Sequence, residues 1–169
     1  MKGLWKPQQS SVILGEIAKD NFWETTIELA SQTVEVDINV PDGELDPEQL
    51  DYIRTVVTKL DLLDMAAREA IRHNYDSPYA EYGVKDYMTF CLEELDGSAL
   101  GQLFQTDDPG QIGVDTFLES HRLCRCGFYP NELDSFAVLD YTLSRLLMDY
   151  LIVVNFSENC RVWSVCIES

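Results

Sequence analysis

The sequence predicts an α+β fold in which a mainly antiparallel sheet of six to seven strands carries two to three helices on one face. Three observations predict it: strand-like runs near the start of the chain, helical periodicity in the middle, and further strand-like runs at the end. The expected order is βββ-αα(α)-ββββ. A chain of 169 residues fits one domain, so residues 1–169 are expected to fold as a single unit.

The last fifth of the chain has the clearest strand pattern. Residues 135–141, 150–156 and 162–167 are short runs of β-branched and aromatic residues, the composition that fits a pleated, mostly buried surface. In residues 150–156 both alternating faces are apolar, which indicates an inner strand covered on both sides. The polar residues 157–160 are short enough for a hairpin connection.

The first strands are predicted from weaker patterns. Residues 1–11 read as a flexible arm, and residues 12–17 and 23–29 as strands. Residues 34–40 alternate valine or isoleucine with glutamate, aspartate or asparagine, which is the period of a strand with one solvated face. Residues 30–32 would form the hairpin loop before it.

A helix start follows at Asp46, which can cap, with Pro47 suited to the first helical position and Gln49 completing a capping box. The apolar stripe continues to about Asn74, so the pattern predicts either one unusually long helix or a helix that breaks near Asp61.

Beyond this helix, the pattern predicts a second one from Val84 to Leu95, stopped by Gly97, and a further short helix over residues 98–105. Residues 106–113 are rich in helix breakers and are expected to be a mobile loop. Residues 116–128 are interpreted as an extended segment that leads into the closing strands.

The charge of the chain argues against nucleic acid and membrane surfaces as partners. Acidic residues outnumber basic ones by 30 to 12, which gives a formal charge of −18. Little of this negative charge lies at the end of the chain, where residues 121–169 hold six acidic and four basic residues. Most of it lies in the middle of the chain. This negative region is either a solvated helical surface that keeps the protein dissolved or a docking face for a protein partner of basic character.

Cysteine usage and the start of the chain indicate a reducing, cytoplasmic location. The five cysteines are an odd number, and Cys91, Cys160 and Cys166 lie in apolar or strand-like surroundings. The apolar run at residues 12–14 is too short for the core of a signal peptide, and no run approaches the length of a membrane span.

One stretch has the composition of a protein interface, because tyrosine combines a large contact area with a polar group. Its alternative interpretation is a loop whose rings pack on the sheet. The interface candidates are four tyrosines and the acids near them: Tyr75, Tyr79, Tyr82, Asp86, Tyr87, Glu93, Glu94 and Asp96.

The nearest approach to a metal motif is His121, Cys124 and Cys126. On a regular strand Cys124 and Cys126 would face the same side, but zinc needs four ligands and no second pair exists at a recognisable spacing. Core thiols and a surface histidine are the alternative. The chain has no nucleophile elbow, P-loop or dinucleotide-binding glycine motif, so we expect neither a cofactor nor catalytic residues.

The closing segments carry a resemblance to a known family. Residues 127–130, 135–141, 149–154 and 164–169 together resemble the C-terminal block of the domain-of-unknown-function 2004 family of bacterial cytoplasmic proteins. The resemblance implies the fold and a bacterial origin and brings no catalytic residues. Small acidic α+β proteins of this kind also resemble immunity proteins, which neutralise bacterial toxins by covering them.

These patterns favour a non-enzymatic protein-binding module, plausible as an immunity-type or toxin-neutralising protein. The alternative is an enzyme, or a protein that binds a small ligand or metal, with a pocket between helices and sheet near His121 and Cys124.

Overall fold

The computed structural model describes residues 22–40 and 45–169, which form six strands and five α-helices. Along the chain the elements are β1 (Phe22–Leu29), β2 (Gln32–Asn39), α1 (Pro47–Val57), α2 (Leu60–Asp76), α3 (Val84–Glu94), α4 (Gly97–Phe104), α5 (Val114–Glu119), β3 (Arg122–Phe128), β4 (Ala137–Thr142), β5 (Leu151–Phe156) and β6 (Val162–Glu168), with a 3₁₀ turn at Pro109–Gln111 before α5.

The strands form one mixed sheet in the order β1-β2-β3-β4-β5-β6. β1 and β2 are an antiparallel hairpin, and β3 to β6 are an antiparallel meander. The one parallel pair is β2 with β3, because the helices between them return the chain to the end of the sheet at which β2 begins. The predicted α+β class is confirmed.

The helix count of the prediction is corrected, and two predicted segments fall outside the described residues. The helix count of two to three is wrong, since five are present, and the order in the described ranges is two strands, five helices and four strands. The predicted arm at 1–11 and the strand at 12–17 lie outside the described residues.

Local signals placed most elements correctly. Asp46 and Gln49 form the predicted capping box at the start of α1. Ala30 and Ser31, both at positive φ, form the two-residue turn between β1 and β2, as the twist of a hairpin favours.

Of the two interpretations of the helical region, one long helix or a helix broken near Asp61, the second is confirmed. α1 ends at Val57 and α2 begins at Leu60, with Lys59 outside helical geometry at φ −117° and ψ 22°, so the two helices are separate and the break lies slightly before Asp61. Gly97 was expected to stop a helix but instead begins α4, after α3 has ended at Glu94.

The expected extended segment at 116–128 is wrong in its first part. Val114, Phe117, Leu118 and His121 recur at helical spacing, and the segment forms the short helix α5 before β3 begins at Arg122. The breaker-rich residues 106–113 contain the 3₁₀ turn, in which the Asp108 carboxylate accepts a hydrogen bond from the Gly110 amide at 2.9 Å.

One face of the sheet, called here the inner face, packs against the helices. Cross-strand partners such as Val36, Cys126, Leu139 and Val154 lie in one row on this face, since paired residues share a side of a sheet. Buried side chains of α1 to α5 belong to the same apolar cluster, so the core lies between the inner face and the helices.

The outer face of the sheet carries a polar cluster, and its centre is the side chain of Arg125. The guanidinium donates from Nε and one terminal nitrogen to the two carboxylate oxygens of Asp37 on β2, at 2.6 and 2.9 Å. It also donates to Asp140 on β4 at 3.0 Å and to the Tyr129 hydroxyl at 2.7 Å. Burial opposes the charge of Arg125, but these hydrogen bonds outweigh it and raise its pKa.

Two local features place Arg125 there. A β-bulge sets Cys124 and Arg125 together opposite Asp140, so both lie on the outer side of β3. Gly127 then leaves room for the guanidinium to lie across the strand, because a Cβ at this position would be 2.5 Å from an Arg125 terminal nitrogen.

We expect Arg125→Lys to lower the free energy of unfolding by about 2–4 kcal/mol, because lysine cannot make the paired hydrogen bonds and leaves buried carboxylates unsatisfied. Arg145→Lys is the matched control, since Arg145 holds the half-exposed Glu35 by two hydrogen bonds at 2.9 and 3.0 Å. That change should cost less than about 1 kcal/mol. Urea denaturation measures both; equal losses would contradict the central role of Arg125.

Candidate functional site

The most exposed aromatic residues of the helical layer lie in the loop between α2 and α3, residues 77–83, which we call the tyrosine loop. Tyr79 is 90% exposed and Tyr82 is 87% exposed. Aromatic rings as exposed as these contribute little to the stability of the fold, so the tyrosine loop is a candidate contact surface.

The backbone of the tyrosine loop is fixed by contacts at its base. Tyr82 has a left-handed φ of 52°, which is unfavourable for a residue with a large side chain. The Asn74 side-chain oxygen accepts a hydrogen bond from the Val84 amide at 2.9 Å, which ties the end of α2 to the start of α3. Gly83 is needed there, because a Cβ would be 2.7 Å from that oxygen and 2.8 Å from the Ala80 Cβ. Tyr79 and Tyr82 are therefore presented on an ordered turn.

The other two predicted tyrosines lie inside. Tyr75 is partly buried against the core. Tyr87 is buried on α3, with its ring centroid 5.8 Å from that of Phe117 and 5.7 Å from that of His121. Burial raises the pKa of Tyr87, so it stays a neutral core phenol. Of the four tyrosines proposed from the sequence, two are at the surface.

The predicted acids divide in a similar way. Asp86, Glu93 and Glu94 are exposed on α3 and are free to face a partner. Asp96 has a structural contact, because its carboxylate accepts a hydrogen bond from the Ala99 amide at 2.8 Å and caps α4.

The field of this helical surface is negative. Residues 60–100 contain nine acidic and three basic residues. Two of those three bases are already paired, Arg68 with Asp64 at 3.1 Å and Arg72 with Asp115. Little positive charge is left to balance the exposed acids of α3, so this side of the molecule would attract a basic surface.

His121, the weak metal candidate, is not at the surface. The residue is 2% exposed, and its Nδ1 lies 2.9 Å from the Phe117 carbonyl oxygen, so Nδ1–H donates to that oxygen. Nε2 is buried without a hydrogen-bond partner among the described residues. Burial lowers the pKa of His121 to about 4, which keeps the imidazole neutral near pH 7.

A crevice of about 150 Å³ lies beside this histidine, between α2, α5 and the sheet. The Arg68 guanidinium closes part of it by donating to the His121 carbonyl oxygen at 3.3 Å. Because Nε2 has almost no accessible surface, it is not offered to a ligand in the crevice. The crevice is lined by Arg68, Ile71, Arg72, Asp115, Leu118, Glu119, His121 and Tyr141.

The expectation that Cys124 and Cys126 share a face is wrong, because the bulge interrupts the alternation of β3. The Cys124 thiol lies on the outer side and donates to the Asp140 carbonyl oxygen at 3.2 Å, whereas Cys126 is buried on the inner face. Cys124 therefore shares no pocket with His121. Within the described ranges, no group of three or more histidine, cysteine, aspartate or glutamate side chains could hold a metal ion.

A second cavity, of about 530 Å³, opens on the outer face over β1, β2 and β3. Sequence reasoning did not single out this region, although the alternation of Glu35, Asp37 and Asn39 with valine and isoleucine showed that one face of β2 is polar. Four hydrogen bonds already occupy the Arg125 guanidinium there. The cavity is lined by Glu24, Thr25, Thr26, Glu35, Asp37, Asn39 and Arg125.

Comparison with protein-family models, with curated proteins and with solved structures finds no match to this chain. The resemblance to the domain-of-unknown-function 2004 family therefore stays a prediction. None of the helices in the described part of the chain combines the length and hydropathy needed to cross a membrane.

The depressed pKa of His121 predicts a pH-dependent stability. The unfolded chain takes up a proton on this histidine below about pH 6.5, while the folded chain resists it down to about pH 4. The free energy of unfolding should therefore fall as the pH drops through this window, by about 1.4 kcal/mol per unit from His121 alone.

We expect His121→Gln to reduce this slope, and His73→Gln, at the exposed histidine near the end of α2, is the matched control. Urea denaturation at several pH values between 7 and 4 measures the slopes. If His121→Gln retained the full slope of the unaltered protein, the buried neutral state of His121 would be refuted.

Proposed function

We propose that this chain is a non-enzymatic protein-binding domain that holds a basic partner protein against the tyrosine loop and the acidic surface of α3. The observation that carries the proposal is the exposure of Tyr79 and Tyr82 on an ordered turn, next to a helix whose exposed acids outnumber its one base, Lys85.

The two tyrosines suit the centre of such an interface. A tyrosine ring brings large contact area with few rotatable bonds, so its ordering on binding costs little entropy. The faces of Tyr79 and Tyr82 can also accept the stem and charge of a lysine or arginine, which adds about 0.5–1 kcal/mol per cation–π contact at an exposed site.

The acids of α3 act at longer range. Asp86, Glu93 and Glu94 would steer a basic surface toward the tyrosine loop and raise the association rate, an effect that salt screens over about 10 Å at 0.1 M. The hydrophobic contacts of the tyrosines depend much less on salt. The complex should therefore weaken with salt without being abolished by it.

An immunity-type role is the specific form of the proposal that we favour. Neutralising a toxin requires only that a bacterial protein covers the toxin's working surface, so the chain would need no catalytic residue of its own. Toxins that act on nucleic acids carry basic surfaces, which a negative helical layer complements.

The tyrosines are tested first by affinity capture. The tagged chain is used to capture proteins from a lysate of its host at low and at high salt, and the retained protein is purified and titrated against variants. The double variant Tyr79→Ala with Tyr82→Ala should bind at least about a hundredfold more weakly, since hot-spot residues contribute about 2 kcal/mol or more each. The matched control replaces Leu133 and Leu146, two exposed apolar residues on other loops, with alanine and should bind normally. Equal binding by the tyrosine variant would overturn the proposed site.

The acids are tested by charge reversal with the same partner. Glu93→Lys with Glu94→Lys should lower the association rate by about tenfold at low salt, and the difference should shrink as salt is added. The control, Glu132→Lys with Asp134→Lys, makes the same change in net charge on the loop between β3 and β4. Asp96 is left intact because it caps α4. Identical rates for both double variants would show that total charge, and not the α3 surface, governs association.

A further inference from the structure

The last strand of the sheet presents an edge that a second chain can extend. Within residues 22–40 and 45–169, β6 pairs with β5 alone, so every second amide and carbonyl of β6 points away from the sheet. Proteins usually protect such edges with lysine, proline or inward charges. The β6 sequence, Val-Trp-Ser-Val-Cys-Ile-Glu, has none of these before its final residue, and its β-bulge at Trp163, another form of protection, leaves Ser164 to Glu168 regular.

The side chains of β6 also leave apolar surface uncovered at this edge. Trp163 is 62% exposed, and none of the seven β6 residues is fully buried. Val165 and Ile167 pack only partly against the core. Val165 and Ile167 lie on the inner face, because Val165 pairs with the core residue Val154, and a β-bulge sets Trp163 together with Val162 opposite the buried Phe156, on the same side.

The opposite edge of the sheet is different. β1 alternates half-buried residues with the exposed Glu24, Thr26 and Glu28, so one face of this edge strand carries two acids. Two β1 edges would repel one another, whereas β6 carries a single charge, Glu168, and follows directly after Arg161.

The distribution of charge favours the same edge for contact between two copies. A chain with a net charge of −18 repels its own copy over most of its surface. Residues 121–169, which form β3 to β6, hold six acidic and four basic residues, so repulsion between copies is weakest at this end of the sheet.

We propose that β6 pairs antiparallel with β6 of a second copy, giving a two-fold dimer with one continuous sheet. A pairing centred on Val165 sets Trp163 of each copy opposite Ile167 of the other on the inner side. In this register Arg161 of each copy lies opposite Ser169 of the other and Glu168 lies opposite Val162, so no like charges face each other across the strand pair. This dimer is independent of the partner-binding site proposed above.

The largest apolar contribution to this contact comes from Trp163. A tryptophan buries about 150–250 Å² when fully covered, and since Trp163 is 62% exposed, each copy can add only the exposed part of that area to the pairing of two seven-residue strands. Weak specific interfaces begin near 1,000 Å² in total. We therefore expect association at micromolar concentrations and not an obligate dimer.

Sedimentation equilibrium of the full chain from about 1 to about 100 µM tests the dimer. The unaltered protein should shift from its chain mass of 19.3 kDa toward twice that value. Trp163→Lys should weaken association at least about tenfold, because it removes the central apolar contact and adds the edge charge that proteins use against strand pairing. The matched control is Leu146→Lys, which makes the same chemical change at a side chain that is 95% exposed in the loop before β5.

Hydrogen exchange gives a second readout that does not rely on a variant. Protection in the segment 161–169 should increase with protein concentration, since dimer pairing occupies the outward amides of β6. A protein that stays at the monomer mass throughout would overturn the proposal, as would a dimer that Trp163→Lys leaves intact. A monomer whose β6 amides are nevertheless protected would also overturn it, and would show that another segment of the same chain covers the edge.

Discussion

The guanidinium of Arg125 joins the two parts of the sheet that the helices separate in sequence. Asp37 belongs to the hairpin before the helices, Asp140 belongs to the meander after them, and Arg125 binds both. Burying one cation between two carboxylates is costly in free energy, and it is tolerated because each charge is satisfied by hydrogen bonds. The parallel pairing of β2 with β3 has no hairpin to fix its register, so this contact is the main side-chain link that specifies it.

This link also explains why the two faces of the sheet differ. With Arg125 and its carboxylates on the outer face, most apolar side chains of the same strands lie toward the helices. The helices bury their own apolar stripes there and turn acids outward, which leaves a negative surface broken by the exposed Tyr79 and Tyr82. The surface that we assign to partner binding is thus a consequence of how the core is closed.

Much of the fold was predictable because the signals for it are local. The capping box at Asp46 and the runs that became β4 to β6 depend on residues close together in the chain. The bulge at Cys124 depends on pairing with β4, so it could not be predicted from the sequence of β3 alone. Tyr87 is a different case: it falls in the apolar stripe of α3 at helical spacing from Val84, and that period already indicated burial. Asp96 likewise precedes a helix in the position of a cap.

The parallel pair in the middle of the sheet has a kinetic consequence. Asp37 and Arg125 meet although they are 88 residues apart in the chain, and the whole helical region lies between them. The loop-closure entropy for this contact is lost before any of its favourable interactions form, so sheets with such distant pairing fold slowly. During synthesis the β1–β2 hairpin leaves the ribosome well before β3 exists, with the valines and isoleucine of β2 uncovered. Until β3 arrives, that hairpin is the part of the nascent chain that most needs protection from aggregation, by a chaperone or by early packing of α1.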